Sequence, residues 1–252
     1  MLNTWQNLIV VILTVAASML FRWGLNRLWP WERRHDHNDL IGWQLSILGT
    51  TYAVILGFML YTVWTDFGAA NLNADNEASA LGNLYRLAEG LPEPQRGQME
   101  VLARSYAGAV IDQDWPQMAA DEMPEASNKV NQDMWRTLMS VKIASPVEII
   151  AEDHAISELS ALTEHRRIRL LQNAFRLPAV LWFVLIVGGV VTIASASMFG
   201  SANTALHALQ VFAFSLLLAL VLVAVADIAR PFQGGVHVSD IAFRRAQQNM
   251  NK

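Results

Sequence analysis

The chain of 252 residues contains no cysteine. Disulfide frameworks, thiolate metal sites and cysteine nucleophiles are therefore excluded together, and cysteine usage says nothing of the redox compartment. Charge is scarce as well: 16% of the residues are Asp, Glu, Lys or Arg and 53% are apolar, where a soluble domain carries roughly 25% and about 45–50%. That deficit points to a membrane protein. A basic surplus is also missing. With 18 Lys and Arg against 22 Asp and Glu, the net charge is −4. No nucleic-acid partner is expected, because phosphate-binding surfaces mass Lys and Arg on one face.

Catalytic signatures are absent in turn. No Ser-His-Asp spacing, nucleophile elbow, phosphate-binding glycine loop or zinc-protease motif occurs, so no enzyme activity, catalytic residue or cofactor is expected. His35, Asp36, His37 and Asp39 lie beside Arg33 and Arg34 and read as a solvated polar turn rather than a metal site. His154 and His165 read as surface residues, and no metal is expected.

What is present is a set of long charge-free runs. No charged residue occurs in 1–21, 40–65 or 177–226, and roughly 20 apolar residues cross a hydrocarbon core of about 30 Å as a helix. The third run covers 50 residues; as one helix it would reach about 75 Å, so it must fold back. Phe199 to Thr204, with Gly200 and Asn203, is the expected turn. The reading is an all-α integral membrane protein with four transmembrane helices, at about 5–22, 41–65, 179–199 and 206–226. A helical domain fills 66–176 and a tail follows from 229 to 252. Met1 to Asn7, before the apolar stretch that starts at Leu8, carry no positive charge and no clear cleavage site follows that stretch, so an uncleaved span is expected rather than a signal peptide.

Four crossings put both termini and 66–176 on one side. Arg166, Arg167, Arg169, Arg176, Arg230, Arg244, Arg245 and Lys252 lie on that side, against Arg22, Arg27, Arg33 and Arg34 in the first short loop. The positive-inside tendency therefore favours cytoplasmic termini and a cytoplasmic 66–176 domain. That domain has 17 acidic and 10 basic residues. Leu81, Leu84, Tyr85, Ala88 and Leu91 recur at helical spacing, as do Met99, Leu102, Tyr106, Ala109 and Val110. Pro92 and Pro94 break between these helices. Trp115-Pro116 and Met123-Pro124 mark the next loop, and Pro146 opens a last helix. Asp75, Glu77 and Glu89 read as a solvated face. The arginines at 166, 167 and 169 read as marking the membrane surface or meeting anionic lipid.

The second span is unusually polar for a lone apolar helix. Ser46, Thr50, Val54, Phe58 and Thr62 recur every four residues and form a slowly drifting stripe that is polar, apolar, then polar again. Two readings fit: a pore helix with a dewetted hydrophobic constriction, or a helix packing its polar groups against neighbours.

These residues resemble the bestrophin channels. Ile55-Leu-Gly-Phe58 and its continuation to Phe67 are similar to their pore helix, and Asp227-Ile-Ala-Arg-Pro-Phe-Gln-Gly234 to the Pro-Phe-Gly segment after their last span. From about 40 to 243 the chain resembles more closely the bacterial bestrophin-like domain family. The matching features are Val63-Trp-Thr-Asp66, Glu77 with Ala80-Leu81, Leu84-Tyr-Arg86, Leu91-Pro-Glu-Pro94, Arg166-Arg-Ile-Arg-Leu170, Leu181-Trp182 and Arg230-Pro-Phe-Gln-Gly234.

The resemblance implies a homopentamer in the bacterial inner membrane, an ion channel whose pore is lined by the second span. Its partners would be copies of itself, membrane lipids and small inorganic ions. The hydrophobic neck falls on Thr50, Val54 and Phe58, with Ser46, Thr62 and Asp66 lining the rest of the pore. Thr50 departs from the apolar residue expected there, which implies a shorter or leakier neck. Asp66 replaces the Arg expected near the helix end, so anion preference does not carry over. Gln233-Gly-Gly-Val-His237 offers no carboxylate for a calcium clasp, so calcium activation is not implied. A non-conducting scaffold or sensor, whose 66–176 domain binds a protein partner, is the alternative.

Overall fold

The computed structural model describes residues 4–142 and 145–251. Those residues form helices and connections without a strand. They are α1 (Thr4–Leu28), α2 (Trp31–His35), α3 (Asn38–Leu87), α4 (Gln95–Ala109), α5 (Trp115–Ala119), α6 (Ala126–Leu138), α7 (Pro146–Ala174), α8 (Ala179–Ser197), α9 (Thr204–Ile228) and α10 (Ile241–Met250). Helices α1, α3, α8 and α9 are long and apolar enough to cross a membrane.

The second apolar run does not end as a helix near 65. Helix α3 continues through 50 residues to Leu87, a length of about 75 Å. The reason is legible locally: no proline occurs from Asn38 to Leu87, and Pro92 and Pro94 follow immediately. The charge-free run of 177–226 does break, between Ser197 and Thr204. Asn203 caps α9, its Oδ1 accepting from the Leu206 N–H at 2.9 Å.

By their contacts the residues divide into two units, one of residues 1–65 and 176–229 and one of 66–175 and 230–252. In the first, α3 lays one face on α8 and α9. Tyr52 packs with Ile193 and Leu218, and Val63 with Leu185 and Val225. Gly188 and Gly189 let Tyr52 lie on α8, where its hydroxyl donates to the Leu185 carbonyl at 2.8 Å. The two short connections of this unit meet. Asn38 donates to the Gly200 carbonyl at 2.8 Å and accepts from the Gly200 N–H at 2.9 Å. A Cβ at Gly200 would stand 2.6 Å from the Trp31 carbonyl and also strike the His35 backbone, so only glycine fits.

The second unit has one continuous core. The helical spacing of its sequence is realised: Leu81, Leu84, Ala88, Met99, Tyr106 and Val110 are all buried in it. Trp115-Pro116, expected as a loop, is instead helical. A π-helical turn, Val110–Asp114, joins α4 to α5, and Pro116 stands in the first turn of α5. Ser145 caps α7 by accepting from the Glu148 N–H at 3.3 Å.

Candidate functional site

All six residues proposed to line a pore lie on α3, and all are exposed. They do not share one face. A spacing of four advances about 40° beyond a full turn, so from Ser46 to Asp66 the stripe drifts by about 200°, more than half-way round the helix. The packed face follows a different period. Ile41, Tyr52, Val63 and Ala74 are buried and spaced by 11 residues, three helical turns. Opposite this face run Trp43, Ile47, Thr50, Val54, Phe58, Tyr61 and Thr65, every one exposed. Thr50, Val54 and Phe58 thus belong to the unpacked face, with Val54 52% and Phe58 69% exposed. Ser46, Thr62 and Asp66 have drifted to its flanks. The Thr62 hydroxyl is turned to its own helix, donating to the Phe58 carbonyl at 2.9 Å.

A second assembly lies inside the other unit, and sequence reasoning placed its Glu77 and its arginines at the surface. Glu77 and the arginines at 166 and 169 are not solvated. Glu77 and Arg169 are 0% exposed and Arg166 is buried, while Asp75, Glu89 and Arg167 are exposed as expected. Arg169 donates through Nε to Glu77 Oε2 at 2.7 Å and through Nη2 to Glu77 Oε1 at 3.0 Å, a two-pronged pair. The same Nη2 reaches Asp114 Oδ2 at 3.1 Å. The Tyr106 hydroxyl donates to Glu77 Oε1 at 2.7 Å. Ser127 donates to Asp114 at 2.5 Å and accepts from Arg166 Nε at 2.7 Å. Trp115 lies under the Arg169 guanidinium at 5.5 Å.

Burial by itself would lower Arg169, but Glu77, then Tyr106 and Asp114, outweigh it and hold the guanidinium above its ordinary value. Burial, then the Glu77 charge, pushes the Tyr106 hydroxyl well above its ordinary value. The cluster is therefore a fixed charge pair with a neutral phenol, suited to locking helices together rather than to proton transfer. The π turn matters here, since it ends at Asp114 and α5 begins with Trp115. One sequence signal was available: Arg166 and Arg169 are three apart, and so one helix face, whereas Arg167 points elsewhere.

His165, expected at the surface, is half-buried and tied to α3: its Nδ1 lies 2.8 Å from Asn73 Oδ1, and Asn73 Nδ2 donates to the His165 carbonyl at 2.8 Å. His154 is exposed. The segment after α9 is also structural. Phe232 is buried edge-on to Trp115, with ring centres 5.6 Å apart, and Gln233 donates to Asp121 at 2.9 Å.

Glu77, the Arg166–Arg169 pair and Phe232 come from distant parts of the chain yet meet one core. The model of the Bestrophin-like domain matches residues 12–243. The chain belongs to this bestrophin-like family. Among solved structures, a bacterial bestrophin homologue from Klebsiella pneumoniae is similar at 13% identity with a TM-score of 0.72, covering 96% of each chain. A single-substitution form of a Klebsiella pneumoniae homologue gives a TM-score of 0.74 at 13% identity, covering 98% of this chain and 100% of that one. A variant described as a membrane protein gives 0.73 at 11% identity, covering 95% and 97%. At these identities the likeness is one of fold. Among curated proteins none matches. The bestrophin-like chain is thus an all-α membrane protein of channel-like architecture.

Proposed function

We propose that this bestrophin-like protein is an oligomeric ion channel, a homopentamer of the bacterial inner membrane whose α3 helices surround a pore for small ions. Thr50, Val54 and Phe58 form the hydrophobic neck, and Ser46, Thr62 and Asp66 line the wider parts. The 66–176 domain and both termini are cytoplasmic, and lipids surround the spans. Pore width and the local field, rather than a dehydrating filter, set selectivity.

One observation carries this reading. The face of α3 turned away from α8 and α9 holds Val54 and Phe58, large apolar side chains more than half exposed in their own chain, as an axis-lining helix requires. Phe58→Ala is expected to widen the neck and raise single-channel conductance in planar bilayers. Unchanged currents at equal expression would sink the neck assignment, and native mass spectrometry giving a monomer or dimer would remove the axis.

A scaffold or sensor reading draws on Val147, Ile149 and Ile150, exposed apolar residues at the start of α7. Because the chain has no native cysteine, labelling separates the two. Rapid aqueous labelling of Thr50→Cys, with Leu48→Cys protected, supports the channel; protection of both supports the scaffold.

A further inference from the structure

The loop end of the four-helix unit carries a cationic cluster that the pore reading does not use. Arg34 is 0% exposed. Its partners are neutral: Nη1 donates to the Ser197 carbonyl at 2.9 Å and Nη2 to Asn26 Oδ1, while Nε is buried without a partner. Arg22, half-buried, donates through Nη2 to the Thr204 carbonyl at 2.5 Å and through Nε to His207 Nδ1 at 3.4 Å. His207 is buried and turns Nε2 to the Ala196 carbonyl at 3.2 Å. With Nδ1 accepting and Nε2 donating, the ring is the neutral tautomer and supplies no charge.

Among the described residues no carboxylate pairs with either arginine. Burial, then the neighbouring Arg22, both disfavour the charged form of Arg34. Arg169, the other fully buried guanidinium, has two carboxylates. A buried, hydrogen-bonded cation without counter-charge is costly, and a bound anion relieves that cost. The surroundings point to the kind of anion. Leu20, Phe21 and Trp23, adjacent to Arg22 on α1, are exposed apolar side chains, as at a headgroup interface where aromatic rings and arginine meet lipid phosphate. Guanidinium forks match phosphate oxygens.

We propose that Arg22, oriented by neutral His207, binds a phosphate group at this end of the unit, with the uncompensated charge of buried Arg34 behind it. The group belongs either to an anionic phospholipid or to free phosphate. The test is thermal unfolding of the delipidated full chain in mild detergent, with phosphatidylglycerol, phosphatidylcholine or inorganic phosphate added. Phosphatidylglycerol or inorganic phosphate is expected to raise the midpoint of the wild type. A response to phosphatidylglycerol alone assigns the lipid headgroup, and one to inorganic phosphate as well assigns the free ion. Arg22→Gln should weaken the apparent affinity roughly tenfold, the loss of one charged hydrogen-bonding group. The half-buried position of Arg22 makes that variant less disruptive than Arg34→Gln, and exposed Arg27→Gln should respond like the wild type. No response to either probe, an equal response to phosphatidylcholine, or an Arg22→Gln response matching the wild type would overturn the proposal.

Discussion

The two units bury different things. Around the four apolar helices the buried clusters are small, Tyr52 with Ile193 and Leu218 and Val63 with Leu185 and Val225, while Trp43, Phe58, Phe183 and Val190 stay exposed. In the other unit a continuous apolar core, from Ala70 to Met250, encloses Glu77, Asp114 and Arg169. The contrast follows from the solvent each is built for. Lipid tails are as apolar as leucine, so spans associate by close backbone approach, as at Gly188 and Gly189, rather than by expelling water. A unit in water gains from burying apolar area, and that core then permits charges inside only as hydrogen-bonded pairs.

Removing one partner of the buried charge pair should produce the largest effect. Arg169→Met leaves Glu77 and Asp114 as uncompensated buried carboxylates and is expected to destabilise the protein by about 3–5 kcal/mol. Arg167→Met, two residues away in an exposed pair with Glu164, should change stability by less than about 1 kcal/mol. Denaturant midpoints of the two variants measure the difference; equal losses would mean that Arg169 is not buried as described.

The four-helix unit should instead be sensitive to added volume. A Cβ at Gly188 would lie 2.6 Å from the Tyr52 ring, whereas one at Gly57 meets nothing within 4 Å. Gly188→Ala is therefore expected to cost about 1–3 kcal/mol by overpacking. Gly57→Ala should be neutral or slightly stabilising, since alanine is the better helix former. Thermal melting in detergent compares them, and a tolerated Gly188→Ala would contradict the close approach of α3 and α8.

A smaller effect is expected from pH. The Tyr106 hydroxyl ionises at a higher pH folded than unfolded, because burial and then Glu77 disfavour the phenolate. Its contribution is fully present below pH about 10, the ordinary tyrosine range, and is lost as pH rises above it, when the unfolded chain releases the proton and the folded chain does not. Melting from pH 8 to 11 should show this loss, with a shallower alkaline slope in Tyr106→Phe. An identical slope would remove Tyr106 from the account.

Much of this was legible in one dimension. Charge-free runs mark the four spans, because crossing hydrocarbon forbids unpaired charge over a fixed length. The prolines at 92, 94 and 146 mark helix ends, and the 3.6-residue spacing of Leu81, Leu84 and Ala88 marks the core face. Trp115-Pro116 misled, since proline in a first helical turn and proline in a loop look alike until the preceding turn is known. A spacing of four groups Thr50, Val54 and Phe58, but that spacing drifts, and the 11-residue recurrence of Ile41, Tyr52 and Val63 leaves Ser46, Thr62 and Asp66 on the flanks of the exposed face. The family resemblance drew attention to Glu77, the arginines of α7 and Phe232 without saying why they matter.

Local chemistry acts over one helical turn or one membrane thickness, and to that range the amino-acid order by itself determined the helices, their apolar lengths and their breaks. Whether a charge is solvated depends on what stands opposite it. Glu77 and Arg169 are 92 residues apart, and Arg34 meets Ser197 across 163. Only the tertiary structure decided that the first pair neutralises itself in a core while the second cation is left without a carboxylate.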